Sequence, residues 1–205
     1  MNRQPIYLAS GNTHKVSELQ RLADADDLPV DIHSAREVGG MPEVVEDTGT
    51  FVGNATKKAV ALLAQLPAGA WALADDSGIC VDALGGAPGV ESAYFAGPVG
   101  DDDANLQKLV TDMRHVSSAE RGAHYVCVLQ LAGPDGLTAT FEGRCHGTLA
   151  IEPDGSGGFG YDPLFIPAGY SDTFGVLPAE TKQALSHRAR AWQELAAWMR
   201  RQPRG

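Results

Sequence analysis

Cysteine is scarce in this chain: 205 residues hold three, Cys80, Cys127 and Cys145. The number is odd and none lies in a Cys-x-x-Cys pair, which argues against a disulfide framework or a structural zinc site. Their apolar, β-like surroundings suggest buried spectators. Basic residues are also few: 16 Lys and Arg stand against 26 Asp and Glu, a net charge of −10. A nucleic-acid polymer wants a basic stripe, so that class of partner is excluded. A mononucleotide is not, because an acidic site can recruit a metal to bridge the charge. No apolar run approaches the roughly 20 residues of a membrane span. The opening Met1-Asn2-Arg3-Gln4-Pro5 has no signal-peptide apolar stretch, so a cytoplasmic protein is expected.

Glycine is abundant. The 24 glycines exceed the roughly 7% average share, and many fall in runs, which suggests tight turns or backbone close to a ligand. Residues 6–9 read as a short buried strand, followed by Val16, Leu19, Leu22 and Ala23 at helical spacing. Residues 29–32 suggest a second strand. Thr50 is read as the N-cap of a helix with Phe51, Ala55, Ala59, Leu62 and Leu66 on its apolar face. Residues 71–74 form a buried strand ending at Asp75-Asp76-Ser77-Gly78, with 79–81 extended beyond. A loop is expected at 85–89 and a helix over 105–113. Strands at 125–131 and 138–141 are joined through Gly133-Pro134-Asp135-Gly136, a hairpin signal. A C-terminal helix carries Leu185, Ala189, Trp192, Leu195, Ala196 and Met199 on one face. Early alternation of strands and helices, then antiparallel-looking strands, predicts a mixed-sheet α/β protein. There is no repeat and no long linker, so residues 1–205 are read as one domain.

Five short segments carry polar chemistry. Ser10-Gly11-Asn12-Thr13-His14-Lys15 sits where a strand passes into a helix, a place that favours anions. It is not a Walker A loop, and its plainer reading is an Asn12 cap with a surface lysine. Glu46-Asp47 could ligate a hard cation such as Mg²⁺, or simply stabilise a helix start. Asp75-Asp76 after an apolar strand is costly unless solvated, paired or metal-bound. Residues 157–163 place glycines around Phe159, which suits stacking on a planar base or anchoring a loop. Lys182 and Ser186-His187-Arg188 could donate to a base or phosphate, or mark an ordinary helix end.

These segments occur together and in order in one known family. The sequence resembles the inosine-triphosphate pyrophosphatase, or Ham1-like, family. The matching stretches are Leu8-Ala9-Ser10-Gly11-Asn12 with Lys15, Glu46-Asp47 with Phe51, Asn54 and Lys58, and Ala74-Asp75-Asp76-Ser77-Gly78. The match continues through Gly85-Gly86-Ala87-Pro88-Gly89, residues 157–162 and Ser186-His187-Arg188.

The resemblance implies an elongated α/β structure with two lobes around a central mixed sheet and a cleft between them. It implies hydrolysis of ITP, dITP and XTP to the monophosphate and pyrophosphate by a Mg²⁺-dependent, cytoplasmic homodimer. Carried over by motif, Ser10, Gly11, Asn12, Thr13, His14 and Lys15 hold the triphosphate, and Lys58 offsets pyrophosphate charge. Glu46 and Asp76 bind the metal, and Asp76 accepts the proton. Ser77, Phe159, Gly160, Tyr161, Asp162, Lys182, His187 and Arg188 contact substrate. The alternatives are a pyrophosphatase for other modified nucleoside triphosphates and a non-enzymatic nucleotide-binding module. Two positions depart from the family pattern: Gly53 stands where Glu is common, and Tyr94 where Arg is common.

Overall fold

The computed structural model describes residues 3–202; Met1 and Asn2 of the opening segment lie outside the described residues. The elements are β1 (Gln4–Leu8), α1 (Thr13–Ala25), β2 (Val30–Ser34), α2 (Phe51–Leu63), β3 (Trp71–Val81) and α3 (Asp102–Met113). They continue as β4 (Gly122–Ala132), β5 (Thr138–Leu149), β6 (Phe165–Pro167), α4 (Ala179–Leu185) and α5 (His187–Arg201). Six strands form one sheet in the order β2-β1-β3-β4-β5-β6. It is mixed, as expected: β1 runs parallel to β2 and to β3, whereas β6 is antiparallel to β5. The register places Ile6 beside Ile32 and Leu8 beside Leu73, so apolar side chains line up along one face.

The chain divides into two compact units. One comprises the residues up to Asp76, Cys127–Gly143 and the residues from Arg188; the other comprises Ser77–Val126 and Arg144–His187. The first unit buries Ile6, Leu8, Leu19, Leu22, Leu73, Leu129, Trp192 and Leu195 in its core. The second buries Ile79, Leu109, Met113, Tyr125, Leu164, Phe165 and Phe174. α1 packs through Leu19, Leu22 and Ala23, as its spacing predicts.

Several expected boundaries move. β3 does not end at Ala74 but runs unbroken through Asp75-Asp76-Ser77-Gly78 to Val81, because both carboxylates find cationic partners and the strand need not stop for them. β5 extends eight residues beyond the expected end at Phe141, reaching Leu149. Leu66 falls beyond α2. Leu185 closes α4, and Ser186, with ψ 156°, breaks the chain before α5 begins. Cys80 is half-buried, whereas Cys127 and Cys145 are buried; all three are free thiols.

Candidate active site

In the first unit the loop after β1 is closed by its own side chains. Asn12 has extended backbone, and its Oδ1 accepts from the N–H groups of His14 (2.9 Å) and Lys15 (3.4 Å). Ser10 Oγ accepts from the Asn12 N–H at 3.1 Å. Two donors of the first turn of α1 are therefore already capped. Gly11 is exposed with open space around it, and Thr13 and His14 are exposed on the first turn. Positive charge is brought to this segment by Lys15 and by Arg36, whose guanidinium donates to the Gly11 carbonyl at 3.0 Å. Arg36 carries no motif signal in the sequence.

Lys15 Nζ lies 2.6 Å from Asp75 Oδ1. On the other carboxylate oxygen, Arg188 Nε donates at 2.6 Å, and its Nη1 reaches Glu18. Asp75 and Arg188 are essentially without solvent exposure. Burial alone would push the Asp75 pKa up, but Arg188 and then Lys15 outweigh it and hold the carboxyl well below the usual range. Two carboxylates, Asp75 and Glu18, thus meet the cations Lys15 and Arg188. The Cys127 thiol donates to Asp75 Oδ2 at 3.5 Å, and burial followed by that carboxylate pushes the thiol pKa well up. Cys127 is thus a neutral partner of the network as well as a core residue. Glu18 stands three residues after Lys15 on α1, a spacing that shares a helix face. Leu19 and Leu22, four residues after Lys15 and Glu18, mark the neighbouring face as apolar, but no local pattern names Arg188 as the partner of Glu18.

Asp76 meets different partners. Lys58 Nζ, from α2, lies 2.6 Å from Asp76 Oδ1 and 3.0 Å from Glu46 Oε2. Asp76 Oδ2 is buried and has no hydrogen-bond partner among the described residues. Burial raises the Asp76 pKa to about 6, opposed by Lys58 and helped by the charge of Glu46. Asp47, by contrast, pairs with Lys57 at the exposed surface. Of the four acids read as possible metal ligands, Asp75 and Asp47 are thus held by cations elsewhere, and Glu46 and Asp76 share one locus.

In the second unit, Asp162 organises the Gly-rich loop. Its Oδ2 accepts the Phe159 N–H at 2.7 Å and faces Lys182 Nζ at 2.6 Å. Gly158 makes this possible: its φ is +75°, and a Cβ there would stand 2.1 Å from Asp162 Oδ2. Lys182 Nζ sits over the Phe159 ring, 4.5 Å from its centroid, which holds the half-buried ring in place. The Tyr125 hydroxyl reaches Asp162 Oδ1 at 3.4 Å. Burial and then that carboxylate push the phenol pKa well up, so it stays a neutral donor. The His187 ring stacks on Tyr125 with centroids 4.6 Å apart and planes 8° from parallel. Tyr161 donates to the Ser92 carbonyl at 2.7 Å, and Gly160 turns the loop at φ +60°. Ser77 is half-buried within β3. Tyr125 was legible only as a strand residue, because its hydroxyl partner lies 37 positions away.

Tyr94 is 51% exposed at the end of a short 3₁₀ turn. Among the described residues, no group of three or more His, Cys, Asp or Glu is placed to hold a metal ion. Glu46 and Asp76 form a two-carboxylate set, the kind that hard cations complete with water and phosphate oxygens. The buried Asp76 Oδ2, without a partner among the described residues, fits that role.

These features define an α/β protein with a buried charge network beside a hard-oxygen carboxylate pair. A model of the Ham1 family matches residues 6–198. The chain is 56% identical over 200 residues to the dITP/XTP pyrophosphatase of Opitutus terrae, covering 96% of this chain and 98% of that protein. It is 46% identical to the dITP/XTP pyrophosphatase of Streptomyces avermitilis over 95% of this chain and 96% of that one. A HAM1 protein structure from Coxiella burnetii superposes with a TM-score of 0.85 at 34% identity, covering 97% of this chain and all of that one. The chain belongs to the Ham1 family.

Proposed function

We propose that this protein is a Mg²⁺-dependent hydrolase of deaminated purine nucleoside triphosphates. It cleaves ITP, dITP and XTP between the α- and β-phosphates, releasing monophosphate and pyrophosphate. Relatives at up to 56% identity over nearly the full length carry the name dITP/XTP pyrophosphatase, which supports the substrate class. The observation that carries the chemistry is Asp76: a buried carboxylate with a pKa raised to about 6, one oxygen on Lys58 and the other lacking a partner among the described residues. Catalytic acids and bases work best with a pKa near the operating pH.

Glu46 and Asp76 would hold the metal, which when bound neutralises phosphate oxygens and polarises the attacked phosphorus. Asp76 takes the proton of the attacking water. Lys58, anchored between Glu46 and Asp76, places positive charge where phosphate oxygens gain negative charge as the bond breaks. Lys15 and the segment Ser10, Gly11, Asn12, Thr13 and His14 bind the triphosphate. Asp75 orients Lys15, and Arg188 holds Asp75 in place. In this geometry Arg188 is a positioning residue more than a reader of the base.

Base recognition is assigned to Phe159, Lys182 and their neighbours. Phe159, steadied by Lys182, offers a ring face to a purine. Lys182, His187 and backbone N–H groups near Gly160, Tyr161 and Asp162 supply donors that suit a 6-keto acceptor. A buried donor facing the 6-amino group of adenine goes unpaired, which disfavours ATP.

The test is a panel of nucleoside triphosphates with Mg²⁺ and chromatographic identification of products. Pyrophosphate and monophosphate from ITP and XTP, with ATP and GTP spared, supports the assignment. Orthophosphate release would contradict α–β cleavage, and preference for a modified pyrimidine would move the base assignment.

A further inference from the structure

We infer that Gly53 and Thr48 form a lock that positions the Glu46 carboxylate, which makes both positioning residues of the proposed cation site. The inference rests on the reading of Glu46 given above. Residues 40–47 have no regular secondary structure, so no strand or helix fixes Glu46 directly. The segment is instead fastened to α2 at a few points. Lys57 Nζ donates to the Val45 carbonyl at 3.2 Å and pairs with Asp47. Lys58 reaches Glu46, but it shares its ammonium with Asp76 and sits on a flexible stem.

Thr48, itself exposed, supplies a short fastening to the buried Asn54. Its hydroxyl lies 2.7 Å from Asn54 Oδ1, and its backbone N–H donates to the same oxygen at 3.3 Å. Asn54 is 1% exposed and belongs to the first turn of α2, so it is a rigid anchor. Thr50 caps the same turn by accepting the Gly53 N–H at 3.1 Å.

Both threonines fold over residue 53, and only glycine leaves them room. A Cβ at position 53 would stand 2.3 Å from Thr48 Oγ1, 2.6 Å from Thr48 Cβ and 2.8 Å from Thr50 Oγ1. All three separations are under 3.0 Å, which real Cβ atoms essentially never show. Any side chain at 53 therefore displaces Thr48 or uncaps the helix. Thr48 follows Glu46 by two residues, so moving one moves the other.

The test compares Gly53→Ala, Thr48→Val and Thr48→Ser with wild type. Gly53→Ala and Thr48→Val should raise the Mg²⁺ concentration for half-maximal ITP turnover by about tenfold, the usual cost of losing a group that orients a metal ligand. The change in kcat at saturating Mg²⁺ should be smaller. Thr48→Ser keeps the hydroxyl and should restore half-saturation to the wild-type range. Without metal or substrate, hydrogen exchange at the amides of Thr48 and Gly53 should quicken in the first two variants and not in the third. A Thr48→Val protein that melts like wild type, with unchanged half-saturation and exchange, overturns the lock. If wild type shows no metal-dependent turnover, the functional reading fails, and the exchange measurement still decides whether the lock exists.

Discussion

Asp75 and Asp76 are adjacent in β3 and engage opposite sets of partners. Asp75 binds Arg188 and Lys15, whereas Asp76 binds Lys58. Successive strand side chains point to opposite faces, so one dipeptide serves two environments. Their pKa values move in opposite directions for that reason. Two cations hold Asp75 low, while burial outweighs the opposing Lys58 and raises Asp76 to about 6. Carboxylates pushed apart in this way suit different roles: one stays an anion, and the other can exchange a proton near neutral pH.

Asp76→Asn should keep the fold and lose on the order of 10²-fold or more in kcat. In wild type the acceptor must be ionised, so kcat/KM should fall as pH drops through about 6. Steady-state kinetics across pH 5–8, on both proteins, measures both effects. Near-wild-type turnover in the variant removes Asp76 from proton transfer.

The raised pKa of Asp76 also carries a stability signature. Its folded value, about 6, lies above the ordinary 3.8. The folded state therefore binds the proton more tightly, and this contribution to stability is lost as pH rises through the folded pKa. Asp76→Asn has no such loss. Its stability relative to wild type should climb between about pH 4 and 6 and level off above 7. Urea midpoints in matched buffers give that difference directly, and a flat difference would remove the raised pKa.

Removing one member of the buried network should be costly. Asp75→Asn removes one of the counter-charges of Arg188, and Arg188→Ala removes the guanidinium that Asp75 and Glu18 share. Breaking a buried pair from one side typically costs about 3–5 kcal/mol. Urea denaturation at pH 7 should show that loss for either variant. A change under about 1 kcal/mol would mean the network is solvated as a surface pair would be.

Lys182→Met removes the ammonium from both Asp162 and the Phe159 ring while keeping most of the side-chain volume. Its kcat/KM for ITP should drop by about tenfold or more, with ATP turnover changing less, so that discrimination narrows. Parallel kinetics on the two nucleotides checks this, and an unaltered ratio would take Lys182 out of base recognition.

Much of the local architecture was legible from side-chain spacing. Val16, Leu19, Leu22 and Ala23 announced α1, and Asn12 and Thr50 cap their helices as their chemistry suggests. The end of β3 was misread because two adjacent carboxylates look like a turn when their partners are unseen. Lys15, Lys58 and Arg188 come from other elements, and Arg188 lies 113 positions from Asp75. Glu18 and Cys127 were missed for the same reason: no local pattern marks a polar group whose counterpart is distant.

The order of the motifs, the acidic composition and the alternation of strands and helices were properties of the sequence alone. They sufficed to point to a mixed α/β fold and to a known family. Which acid lies between two cations, which keeps a buried oxygen without a partner among the described residues, and what a Cβ at residue 53 would meet were decided only by tertiary structure. Periodicity records which face of an element is apolar. Ion pairing, desolvation and steric room depend on distances between residues far apart in the chain, and only folding sets those distances.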